Sequence, residues 1–210
     1  MDHAGLAAAW VLWCALHSGM ISLTATDLLK KKFGSRYRFY RLFFNLISVL
    51  TLIPVIVYTE SLRGGVLFES TGPARACQAA LLLAGIALFI AGARHYDLLQ
   101  LLGFRQIMTG AAHGTLTESG KIDTSGIMGV TRHPWYLGAL LLIWSNWMRD
   151  YEPAALTVIA VLTAYLVIGT ILEERKLVVE LGDDYRRYQK RVSMLFPFRF
   201  LNSKLTPKDS

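Results

Sequence analysis

TSGIMGVTRHPWYLG, residues 124–138, sets an Arg-His pair and a tyrosine at the mouth of an apolar stretch. The apolar run that follows, residues 135–147, is short. As a helix it would rise about 20 Å, less than the roughly 30 Å hydrocarbon core of a bilayer. Pro134 suits the first turn of such a helix, where a missing N–H costs nothing. Arg149-Asp150-Tyr151-Glu152-Pro153 reads as a tight turn, and residues 154–172 return as another apolar run. A short helix, a turn and a return helix make a hairpin whose open ends are neighbours. The polar cluster Glu173-Glu174-Arg175-Lys176 is therefore expected beside His133 and Tyr136, although it lies far away in sequence.

The rest of the chain extends this pattern. Of 210 residues 53% are hydrophobic, and the mean hydropathy of +0.39 is too high for an ordinary soluble domain of this size. Apolar runs at 4–24, 39–58 and 76–93 join the two arms of the hairpin. The expected fold is all-α: a polytopic membrane helical bundle of about five transmembrane helices with a C-terminal helical hairpin and a cytosolic cofactor pocket. Residues 1–93 supply the first three helices; residues 94–210 supply a loop, the hairpin and a C-terminal segment that form the site. The first run lacks a basic n-region and outlasts a signal h-region, so it reads as a retained span. Ala80/Ala84, Ala87/Ala91, Gly85 and Gly92 are spaced to let the third helix pack closely. Residues 94–132 form the longest polar segment, of which 97–107 is expected to extend the third helix. Residues 178–192 repeat Leu181, Tyr185, Tyr188 and Val192 at helical spacing among cations, the pattern of an interfacial helix that Gly182 weakens.

Net charge is +7, and basic residues beside apolar spans indicate a membrane face rather than nucleic acid. With the N-terminus outside, 19 of the 22 Lys and Arg fall on the inner side, leaving Arg63, Arg75 and Arg149 outside. This asymmetry puts both polar clusters on the cytosolic face. The cysteines, Cys14 and Cys77, do not suggest a disulfide framework. The five histidines show no paired ligand spacing, so no metal is expected.

The chemistry at the hairpin mouth is selective. Arg132 can take a carboxylate in bidentate fashion, and Glu173 and Glu174 can take an ammonium. Two adjacent carboxylates near lipid are costly unless a cation meets them. Met128, Trp135 and Tyr136 offer surfaces for an aromatic base or a sulfonium. S-adenosylmethionine carries all of these groups. Salt bridging within a helix and snorkelling to headgroups are the structural alternatives for the same charges.

The order Gly126, Arg132-His133-Pro134, Tyr136, Gly138, then Glu173-Glu174, Leu177, Gly182, Tyr185, Tyr188 and Pro197 resembles the isoprenylcysteine carboxyl methyltransferase and phospholipid methyltransferase superfamily of integral membrane methyltransferases. The resemblance implies S-adenosylmethionine as cofactor. It implies that His133, Pro134, Trp135 and Tyr136 line the cofactor and that Glu173 binds its amino group. Lys121, Ile122 and Asp123 occupy the position of the cofactor loop. Met128 stands where an aromatic residue is usual, and Gly169 where the carboxyl methyltransferases carry a substrate arginine. Leu16-His17-Ser18, and Asp97 followed by Gly103-Phe104-Arg105-Gln106, look like the branch of membrane thiol S-methyltransferases and related denitrification-linked proteins. That branch favours a thiol acceptor.

A thiol is partly ionised at cellular pH, so a weak base suffices for methyl transfer. His17, His95 and Asp97 are the candidates. The acceptor is expected to be small or lipophilic, reached from the lipid; prenylcysteine carboxylates and amino lipids are the alternatives, and the oligomeric state is left open. Two further readings stay in view: a nicotinamide-dependent enzyme of the sterol-reductase type, which shares a similar Arg-His-Pro-x-Tyr segment, and a non-enzymatic membrane assembly factor.

Overall fold

The structure is a computed structural model. It describes residues 2–62, 64–65, 67–68, 70–109 and 124–205. Among these the fold is helical throughout: α1 (His3–Ile21), α2 (Leu23–Phe33), α3 (Tyr40–Ser61), α4 (Gly72–Ala93), α5 (Leu98–Leu102), α6 (Phe104–Thr109), α7 (Pro134–Asp150), α8 (Pro153–Arg191) and α9 (Phe198–Leu205). Short 3₁₀ turns at Gly34–Phe39 and Gly126–Gly129 join them. Among the described residues, four segments are long and apolar enough to cross a membrane: α1, Leu23–Ser61 containing α3, α4 and α8. Their large side chains are widely exposed, as in Leu12, Val57 and Leu83, the distribution required of helices solvated by lipid. The protein is an integral membrane protein. The short hairpin arm is α7, at 17 residues about 25 Å long and below the thickness of the hydrocarbon core.

The chain forms two compact units. The first comprises α1–α3, α5, α6 and residues 150–165 at the start of α8. Asp2 caps α1 through the Gly5 N–H at 2.8 Å, and Ser22 caps α2 through Ala25. Leu6, Trp10, Ala154 and Val158 form its core, with Leu52, Val55 and Tyr58 packed against them. Polar groups in these helices find partners on neighbouring helices: Trp10 Nε1 donates to Thr59 Oγ1 at 3.0 Å, and Trp13 Nε1 to the Ser48 carbonyl at 3.3 Å.

Residues 97–107 do not extend α4. That helix stops at Ala93, and two short helices follow. Asp97 caps α5 by accepting from the Gln100 N–H at 3.1 Å. Gly103, at φ +96°, turns the chain between α5 and α6. A Cβ at Gly103 would lie 2.7 Å from the Leu42 nitrogen. Arg41 Nε and Asn45 Nδ2 both donate to the Leu101 carbonyl, fixing α5 on α3.

The second unit comprises α4, the 3₁₀ turn at Gly126–Gly129, α7, residues 166–191 of α8, and α9. Close packing of α4 depends on its glycines. Ala80, Ala84 and Ala87 are exposed, whereas Gly85 and Gly92 are buried. A Cβ on Gly85 would stand 2.8 Å from Leu142, and one on Gly92 2.5 Å from the Trp135 ring. The α7–α8 turn is two residues, Tyr151 at φ +46° and Glu152, before Pro153 opens α8. The return span and the expected interfacial helix form one element, broken at Gly182, where φ is +58°. The break turns residues 183–191 so that Tyr185, Tyr188 and Val192 pack with Leu177.

Candidate functional site

The hairpin brings the two polar clusters together, and Glu174 is the point at which they meet. Its Oε1 lies 2.8 Å from Arg132 Nε, 2.7 Å from His133 Nε2 and 2.6 Å from the Tyr185 hydroxyl. Its Oε2 accepts from Arg132 Nη2 at 2.5 Å and from Gln189 Nε2 at 2.7 Å. The fork of Arg132 thus grips both carboxylate oxygens, the strongest geometry available to such a pair. Arg132 Nη1 also donates to the carbonyls of Gln189 and Val192. Arg132, His133 and Glu174 are all buried. Burial makes full satisfaction of these charges necessary.

This network fastens the C-terminal segment to the start of α7. Thr131 and Ser193 pair as parallel backbone, the Arg132 N–H donates to the Ser193 carbonyl at 3.0 Å, and the His133 N–H to that of Met194 at 3.2 Å. Tyr188 adds a hydrogen bond to the Met128 carbonyl at 2.6 Å. Met128 is itself buried. Among the described residues, four of the five Arg132 N–H groups and both Glu174 carboxylate oxygens already have protein partners.

Glu173 differs. It is half-buried and, among the described residues, makes no hydrogen bond or ion pair. It lies one helical turn beyond Gly169, whose Cβ position would be 3.8 Å from the Tyr136 ring. Its charge reaches Tyr96, whose phenol is pushed well above the usual range, first by burial and then by that carboxylate. Tyr96 is tilted against Trp135 with ring centroids 4.3 Å apart. Trp135 is held by its own hydrogen bond to the Phe89 carbonyl at 3.0 Å and seated in the gap left by Gly92. Tyr136 meets His133 edge to face at 5.6 Å. The result is a carboxylate without a hydrogen bond or ion pair among the described residues, whose charge acts on a ring packed against Trp135, chemistry suited to a cation carrying a flat base. Pro134 is fully buried at the head of α7 and contributes shape rather than a polar contact.

Tyr96 was not singled out by sequence; its signal is an aromatic placed just past the end of α4, the helix whose glycine gap receives Trp135. Tyr185 and Gln189 were likewise missed as partners of Glu174, because they reach it only through the turn at Gly182. Lys121, Ile122 and Asp123 lie outside the described residues. Of the candidate bases, Asp97 is committed to capping α5 and to an ion pair with Arg105. His95 stands beside Gly126, its Nε2 3.3 Å from the position of a Cβ there. His17 lies in the first unit, bonded to Ser48.

Comparison with known proteins bears on this arrangement. The family model described as NnrU protein matches residues 5–202. The chain belongs to the NnrU protein family. Relatives of this NnrU protein include methanethiol S-methyltransferase 1 of Bradyrhizobium diazoefficiens, 36% identical over 100 residues, which are 48% of this chain and 34% of that protein. The methanethiol S-methyltransferase of Pseudomonas deceptionensis is 35% identical over 98 residues, 47% of this chain and 36% of the relative. That of Mycobacterium tuberculosis is 32% identical over 99 residues, 47% and 39% respectively. The match therefore spans well under half the length of these curated relatives. No solved structure matches the chain.

Proposed function

We propose that this NnrU protein is a methyltransferase that moves a methyl group from S-adenosylmethionine to a small thiol. The observation that carries the reading is Glu173, a carboxylate with no hydrogen bond or ion pair among the described residues, whose charge acts on Tyr96, a ring packed against Trp135, and which follows by one turn the glycine that faces Tyr136. Those groups fit the donor: the carboxylate meets its ammonium, and the rings accept its adenine and lie near its positive sulfur. When bound, the donor supplies an electrophilic methyl group. The relatives' names, methanethiol S-methyltransferase, support both the reaction and the thiol.

Each residue then has a defined task. Glu173 neutralises the ammonium. Tyr96 brings its ring and hydroxyl to the same face, its phenol pushed well above the usual range by burial and by the Glu173 carboxylate. Trp135, locked by Phe89, offers a rigid face. His133 is held by Glu174 and presents its edge to Tyr136, fixing the wall of the site. Arg132 and Glu174 hold the wall in place and do not touch the donor. Because methyl transfer is a displacement at carbon, alignment and exclusion of water supply most of the acceleration. The charge asymmetry of the chain supports a site that opens to the cytosol.

The test is equilibrium binding of S-adenosylmethionine and of NADPH to the purified protein, followed by methyl-labelled turnover with ethanethiol. Saturable binding of S-adenosylmethionine without NADPH binding, and labelled thioether product, are expected. Tight NADPH binding would transfer support to the nicotinamide reading, and binding of neither to the assembly-factor reading.

A further inference from the structure

His17 lies in the apolar span α1, half-buried among side chains of the first unit. Ionisable groups in such spans face the bundle interior and mark pathways or binding sites, since exposing them to lipid is costly. Three helical segments converge on this one. Trp13, from the same helix, stacks on the imidazole with centroids 5.2 Å apart. Phe44 of α3 lies at 4.9 Å, and Tyr165 of α8 meets it edge-on at 6.5 Å. Ser48, itself buried, bonds the imidazole Nδ1 through Oγ at 3.1 Å. Ser18 anchors the Tyr165 hydroxyl at 3.0 Å.

The ring is therefore oriented by its second nitrogen, while Nε2 makes no hydrogen bond to any described residue. When Ser48 accepts from Nδ1–H, Nε2 carries a lone pair. An imidazole set among three aromatic rings, with an acceptor nitrogen, suits a small molecule with an apolar body and one weak hydrogen-bond donor. The sulfur–aromatic contact is favourable in its own right. The guanidinium of Arg41 stands over the Phe44 ring at 5.4 Å, a positive charge at the margin of the cluster.

We propose that His17 binds a small alkyl thiol, whose S–H donates to Nε2 while its alkyl group lies against Trp13, Phe44 and Tyr165. The proposal rests on the thiol reading above and adds where the thiol is held. It assigns binding, not the transfer step. The test uses the full chain in lipid nanodiscs with ethanethiol as probe and ethanol as comparator. Saturation transfer to the ethanethiol methyl protons measures thiol binding without the donor, and S-adenosylmethionine affinity is measured in parallel. Wild type is expected to bind ethanethiol and not ethanol. His17→Gln keeps a polar group near Ser48; it should weaken thiol binding at least tenfold and leave S-adenosylmethionine affinity within twofold. Ser48→Ala should weaken thiol binding several-fold by releasing the ring. Equal response to ethanol, or unchanged thiol affinity in His17→Gln, would overturn the site. Thiol bound at His17 with no methylated product would uphold the site while refuting the activity, whereas product formed by His17→Gln with wild-type KM would do the reverse.

Discussion

Glu173 and Glu174 are adjacent on one helix and chemically identical, yet they live in opposite surroundings. Glu174 receives hydrogen bonds from Arg132, Tyr185 and Gln189 and lies within hydrogen-bond distance of His133. Glu173, about 100° round the helix axis, receives none among the described residues and lies near aromatic rings. The difference teaches that a pair of carboxylates beside lipid need not share a role. The clamp around Glu174 gives the hairpin mouth its shape, and the face around Glu173 is the one proposed to meet the donor.

The largest effect should come from breaking the clamp. Glu174→Gln leaves the buried guanidinium of Arg132 without its counter-charge and is expected to cost about 3–5 kcal/mol of stability, seen as a marked fall in Tm of the protein in detergent. Gly92→Ala acts on the other face: a methyl would meet Trp135 at 2.5 Å. Overpacking of this kind costs about 1–3 kcal/mol, and donor affinity should fall with it as the indole is pushed out. Gly182→Ala sharpens the comparison further. The position is at φ +58° with open space around it, so the cost is backbone strain of about 1–2 kcal/mol, carried by the segment that delivers Tyr185 and Gln189. The smallest effect belongs to Tyr96→Phe, which keeps the ring against Trp135 and removes only the hydroxyl; if that hydroxyl bonds the donor, about 1 kcal/mol is lost, and a several-fold fall in donor affinity with no change in Tm is expected.

The long apolar helices were legible because hydropathy and length alone identify them, and the hairpin because Pro134 and Pro153 mark its two helix starts. That His133 would meet the Glu-Glu pair followed from the same hairpin. Which glutamate it would meet did not, because neighbouring residues on a helix point to different faces and only the partners decide between them. Those partners, Tyr185 and Gln189, arrive by a turn at a single glycine inside an otherwise continuous helical pattern. The packing role of α4 was read from alanines and glycines alike, and Gly85 and Gly92 are the buried positions where a Cβ would meet a neighbour at under 3 Å. Asp97, a candidate base by sequence, also caps α5 through the Gln100 N–H, a role set by the break after Ala93 that apolar periodicity does not reveal.

The most direct test of the division between the two carboxylates is calorimetric titration of S-adenosylmethionine into Glu173→Gln. The account predicts at least a tenfold loss of affinity, about 1.4 kcal/mol or more, with an unchanged Tm. Wild-type affinity in this variant would contradict it.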